Sequence, residues 1–314
     1  MTRFRQFLVA GLSSAILMAS GSAHAIFRAY LSTSGSDANP CTLPQPCRLL
    51  PAALAAVDAG GEIWMLDSAN YNTTTVGITK SVTILAVPGV VGSVLGNGGT
   101  ALTINGAGIE VSLQNLVIRG SNGDIGVLVA NAKSVNVIGS TVLGFYGFSN
   151  NGVGIWSNTG ATATQLNIVG TTVRNNHHGI IVAGNGHATI SKTHVLGNNG
   201  VGVWANSGTG ISVVNVSDSV SSGNAHGFIA TGSGGAFNSY MFVTRSVAAK
   251  NANAGFLTDG GITAFMLVGE SMASDNASGF NNSGGDLTFQ SRGNNTVSGN
   301  VVNLIGTITP HGGV

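Results

Sequence analysis

Four charged residues recur at near-equal intervals in the second half of this chain: Lys192, Asp218, Arg245 and Glu270. An arginine flanked by two carboxylates is a candidate acid–base group, so Asp218, Arg245 and Glu270 are the first catalytic candidates. Their use is restricted by distance, because two carboxyls that hydrolyse a glycosidic bond lie roughly 5–9 Å apart. The chain has no Asp-Asp or Asp-x-Asp to provide such a pair locally. Trp156 and Trp204 offer different chemistry, since an indole is a flat apolar surface with one polar N–H and suits stacking on a sugar ring. His178, His194 and His226 are the remaining groups of interest.

What brings such residues together is an internal repeat. Five nine-residue blocks, at 168–176, 190–198, 216–224, 243–251 and 268–276, each start on an apolar residue. The fourth place always holds a hydroxyl: Thr171, Thr193, Ser219, Ser246, Ser271. The ninth always holds asparagine: Asn176, Asn198, Asn224, Asn251, Asn276. Glycine and an apolar residue follow shortly, as in Gly179-Ile180, Gly202-Val203, Gly227-Phe228, Gly255-Phe256 and Gly279-Phe280. Repeats of this length, made of short apolar strands and turn residues with no intervening helices, specify a β-solenoid of about ten rungs. In such a fold equivalent residues stack about 4.8 Å apart.

That spacing turns each motif into an expectation. The asparagines form a hydrogen-bonded column and supply the left-handed turn conformation; the hydroxyls form a second column. Phe228, Phe256 and Phe280 pile up inside. Lys192, Asp218, Arg245 and Glu270 become an exposed ladder of alternating sign, which places Asp218 and Glu270 about 10 Å apart with Arg245 between them. His178 and His226 lie two rungs apart, too far to share a zinc ion, so no metal site is expected. His194 is expected to be partly buried. The residues after the inward ones, Leu128, Trp156, Ile181, Trp204, Ile229 and Leu257, form an outward apolar stripe, the candidate ligand-binding surface.

The ends and the composition frame this. Arg3 and Arg5, the apolar run from 7 to 18, and Ala23-His24-Ala25 have the layout of a signal peptide over 1–25, so an exported chain, periplasmic or secreted, is expected. Beyond it remain 10 basic and 11 acidic residues, a balance with nothing to attract nucleic acid, and no stretch is long enough to be a transmembrane segment. In an exported chain Cys41 and Cys47 are expected to pair, a small loop contributing about 2 kcal/mol. Residues 26–60 form an amino-terminal segment, with a helix from 48 to 57 that covers the first rung, and 61–314 form the solenoid.

The repeated Asn with Gly-Ile, Gly-Val or Gly-Phe over about 110–300 resembles the right-handed parallel β-helix proteins of the pectin-lyase-like fold. So does the amino-terminal order Tyr30-Leu31-Ser32, Gly35-Ser36-Asp37, Asn39-Pro40, Pro46-Cys47-Arg48, Gly61-Glu62-Ile63 and Tyr71. The resemblance implies an all-β, single-stranded right-handed parallel β-helix with an amino-terminal capping helix. Enzymes of that group use clustered aspartates, or calcium-binding aspartates with an Arg or Lys base. This chain departs from both patterns, and calcium enters only under a lyase reading. The sequence therefore favours a polysaccharide-binding protein acting through Trp156, Ile181, Trp204 and Ile229. The alternatives are a polysaccharide lyase or glycoside hydrolase at Asp218, Arg245 and Glu270, and a surface protein that self-associates through the stripe.

Overall fold

The computed structural model describes residues 26–147, 151–208, 210–232, 238–283 and 288–312; the expected signal peptide lies outside them. Each coil contributes three short strands. One coil runs through residues 187–191, His194–Leu196 and Val201–Asn206, and the next begins at Ser212–Ser217. Each strand pairs in parallel with its equivalents one coil above and below, giving three ladders along one axis. We call them the first, second and third sheets in the order the chain visits them. Among the described residues the second sheet has ten strands, from Ala69–Asn70 to Thr296–Val297, in line with the expected rung number.

Helix α1, Leu50–Ala56, packs against the first coils with Pro51 in its first turn, where the missing N–H is harmless. Leu50, Ala53 and Leu54 are its buried face. The strand Ile26–Leu31 pairs with Val57–Met65, and Cys41 is disulfide-bonded to Cys47 with their Cα atoms 4.6 Å apart. The stretch from 111 to 118 is two strands, not the single one its apolar content suggests. Asn115, at φ 56°, turns the chain between Glu110–Gln114 and Leu116–Ser121.

The asparagine column is a buried ladder. The Asn198 carboxamide oxygen accepts from the backbone N–H and from Nδ2 of Asn176, both at 3.0 Å. Asn224 serves Asn198 in the same way, and Asn251, Asn276 and Asn300 continue the series. Phe145, one coil above, donates its backbone N–H to Asn176. These asparagines do not hold the left-handed conformation. That falls to the residue before each of them: Asn175, Gly197, Gly223, Lys250 and Asp275. The hydroxyl column also differs from a hydroxyl-to-hydroxyl chain. Ser219 Oγ accepts the backbone N–H of Thr193 above it and donates to its own Ser217 carbonyl, and Ser246 repeats the arrangement one coil on.

Inside, Phe228 and Phe256 stack with centroids 5.2 Å apart, Phe280 follows at 5.3 Å, and Phe289 of the first sheet extends the pile at 5.0 Å. All four are buried, as the apolar column requires.

A candidate binding face on the third sheet

The third sheet carries the outward stripe. Leu128, Trp156, Ile181, Trp204, Ile229 and Leu257 are direct neighbours in register from coil to coil. The glycine ahead of them sets their position, because the chain there passes close under the asparagine ladder. A Cβ on Gly154 would lie 2.7 Å from Val173 Cγ1, 2.8 Å from the Gly179 carbonyl oxygen and 2.9 Å from Asn176 Nδ2. Only glycine leaves room, and the strand that follows then alternates: Ile155 in, Trp156 out.

The stripe is narrower than its sequence suggests. Ile181, Ile229 and Leu257 are only 7%, 5% and 9% exposed. A second outward column flanks them, Ile125, Val153, His178, Val201, His226 and Ala254, and its apolar members close over the aliphatic side chains. Val153, Ile181 and Ala183 pack with both tryptophans; Val201, Ile229, Ala254 and Leu257 pack with Trp204. At 4.8 Å spacing an indole reaches across its neighbours, so the aliphatic rungs lie beneath. Trp156, Trp204 and Leu128 are left partly exposed.

Polar groups gather around the tryptophans. Trp204 Nε1 donates to Thr231 Oγ1 at 2.8 Å, which fixes the indole. The His178 ring lies 5.6 Å from that indole, tilted by 53°, and 4.4 Å from His177. His178 Nδ1 accepts the Val201 backbone N–H at 3.1 Å, a bond that only the unprotonated nitrogen can take. Burial, with the neighbouring His177, pushes the His178 pKa down to about 4. Burial lowers His177 as well, and lowers His226, whose shift Asp259 partly opposes. His226 Nε2 is 3.2 Å from Asn253 Nδ2. Trp156 Nε1, His177 Nδ1 and His226 Nδ1 are covered and have no hydrogen-bond partner among the described residues. Sequence reasoning kept His178 and His226 apart, and they are two coils apart, but it missed that His178 sits against Trp204. His194 is exposed on the second sheet, contrary to its expected partial burial.

The charged candidates lie elsewhere, at the turn between the first and second sheets. Lys192, Asp218, Arg245 and Glu270 all occupy its left-handed position, with φ between 45° and 53°. Arg245 grips Asp218 through two bonds, Nε to Oδ1 at 2.8 Å and a terminal nitrogen to Oδ2 at 3.0 Å. The contact holds the Asp218 carboxyl below its ordinary range and keeps the proton on Arg245. The Glu270 backbone N–H is bonded to Asn294 Oδ1. A guanidinium so engaged serves as a clamp between coils. Among the described residues no group of three His, Cys, Asp or Glu is placed to hold a metal ion.

The outer face of the first sheet holds a second aromatic patch that sequence reasoning missed. Phe265 lies 6.2 Å from Tyr240 and 5.8 Å from Phe242, centroid to centroid. The alternation in Ser239–Thr244, which leaves Tyr240 and Phe242 on its outer positions, is the signal that could have revealed it.

No protein-family model matches the chain, and no curated protein matches it. Solved structures do. The crystal structure titled pectate lyase Pel9A superposes with a TM-score of 0.67 over 89% of this chain and 78% of its own, at 14% identity. The Dettilon tailspike protein gp208 gives 0.53 over 77% of this chain, at 15% identity, and this chain spans 56% of its length. At such identities the likeness establishes the parallel β-helix fold, the pectin-lyase-like architecture expected from the repeat.

Proposed function

We propose that this is an exported β-helix protein that binds polysaccharide through the third-sheet face, with Trp156 and Trp204 as its principal contacts. The observation that carries the reading is the pairing of two partly exposed indoles in one column, two coils apart, ringed by hydrogen-bonding groups. A glycan needs both elements: flat apolar surface for the ring faces and fixed polar groups for the hydroxyls. Ile181 and Ile229 lie beneath and support the indoles. The likeness to a solved pectate lyase adds that this scaffold is compatible with carbohydrate work. It does not supply a site, and Arg245, bound to Asp218, is a poor base. The disulfide fits an oxidising compartment, and no helix among the described residues is long and apolar enough to cross a membrane. Self-association through the stripe is disfavoured by the burial of Ile229.

Screening the protein on an array of plant, microbial and animal glycans tests this. Binding should be present and should fall sharply when Trp156→Ala and Trp204→Ala are combined. Binding that survives both substitutions removes the face from consideration.

A further inference from the structure

The charge distribution around the tryptophans narrows the ligand, given the polysaccharide reading above. None of the strands that build the face carries Lys or Arg: Thr100–Asn105, Ile125–Asn131, residues 153–158, residues 178–183, Val201–Asn206, His226–Thr231 and Ala254–Asp259. Of the segments leading onward to the first sheet, 159–164, 184–186, 207–211, 232–238 and 260–263 contain none, and Lys133, which follows Ile125–Asn131, is paired with Glu110. Arg174 and Lys250, the nearest cations ahead in sequence, belong to the second sheet and to the turn after it. Two carboxylates stand at the margins, Asp124 just before Ile125 and Asp259 at the end of its strand. The three histidines near the indoles are held neutral by burial, so they add no positive charge at neutral pH.

We infer that the glycan taken by this face is an uncharged one, laid along the coil axis with a sugar ring on each of Trp156 and Trp204. A uronate carboxylate brought here would lose water without gaining a cation, which is strongly unfavourable. Asp124 and Asp259 would repel it as well. Hydroxyls meet the opposite situation. Asn158, Asn206 and Thr231 share the column two places beyond the indoles, and each is neutral and at least partly exposed. Neutral donors and acceptors suit hydroxyls, each of which both gives and accepts a hydrogen bond. The spacing agrees. Trp156 and Trp204 stand two coils apart, roughly 10 Å, and a pyranose in an extended chain is about as long as one coil is high, ~4.8 Å. The chain would place one ring on each indole with a third between them.

Affinity electrophoresis in gels holding a neutral β-glucan, a galactomannan, polygalacturonate or alginate separates the outcomes. Retardation by a neutral polymer, little altered by added salt, is expected. Trp204→Ala should weaken it about tenfold, the order of one lost aromatic contact. Trp204→Phe, which keeps a ring, should retain most of it, with circular dichroism confirming the fold. Retardation by the acidic polymers alone overturns the inference and leaves polysaccharide binding standing. Retardation by none of a broad set of glycans overturns both. Neutral-glycan binding that is unchanged in folded Trp204→Ala and Trp156→Ala overturns the assignment of this face.

Discussion

One carboxamide oxygen of Asn198 receives two hydrogen bonds from Asn176, from its backbone N–H and from its side-chain Nδ2, each 3.0 Å long. The relationship repeats from coil to coil, so the same atom type fixes both the backbone of the coil above and the rotamer of its asparagine. Buried amides of this kind are costly to orphan.

Asn224→Ala removes the acceptor for two buried donors of Asn198. The expected cost is on the order of 3 kcal/mol, read as a lower urea midpoint at unchanged slope. Asn199→Ala, on an exposed side chain beside the ladder, should change stability by roughly 0.5 kcal/mol or less. Equal effects from the two would deny the ladder its role.

Glycine at 154 is held by contact, since a methyl carbon added there would stand under 3 Å from three atoms of neighbouring coils. Gly154→Ala should destabilise by about 1–3 kcal/mol through overpacking. Gly77→Ala has open space within 4 Å and should be neutral or slightly stabilising. Thermal melts of both variants decide it.

Arg245 and Asp218 form an exposed pair, so Arg245→Ala should leave the melting temperature nearly unchanged, and less affected still at high salt. Arg245→Gly should melt above Arg245→Ala, because the position has φ 45°. Neither variant should alter glycan retardation. A large loss of binding in both would move the site to this turn.

Acid should loosen the binding face before the core. His178 has a folded pKa of about 4, below its ordinary 6.5, so the unfolded chain binds the extra proton between these values. Its contribution to stability is therefore present above pH 6.5 and is lost as pH falls towards 4. His177 and His226, also lowered, act in the same direction. Urea midpoints measured from about pH 7 to pH 4 should decline, and His178→Gln should flatten the decline. An unchanged slope would rule His178 out as its source.

The architecture is readable because a stacked fold forces like residues onto like residues, and within the ladder each asparagine accepts from the backbone N–H and side chain of the one above it. The turn misleads for the same reason. Its left-handed residue varies among Asn175, Gly197, Gly223, Lys250 and Asp275, since an exposed side chain there is unconstrained, whereas the invariant asparagine beside it draws attention. The tryptophan column is visible in the alternation after each glycine. Burial of Ile181 and Ile229 is not, because it depends on how far an indole overhangs the coil next to it. The closeness of His178 to Trp204 is hidden too, as it joins residues on successive coils whose side chains meet only once register is known.

Because every coil of the ladder offers the same donors downward and the same acceptors upward, its segments are interchangeable parts. Repeating one period in tandem, such as 199–224, would present matching partners to both flanking segments, and Trp204 would be copied with it. The reach of the tryptophan-bearing face is thus a matter of how many periods are encoded, adjustable by duplication without redesign of any single contact.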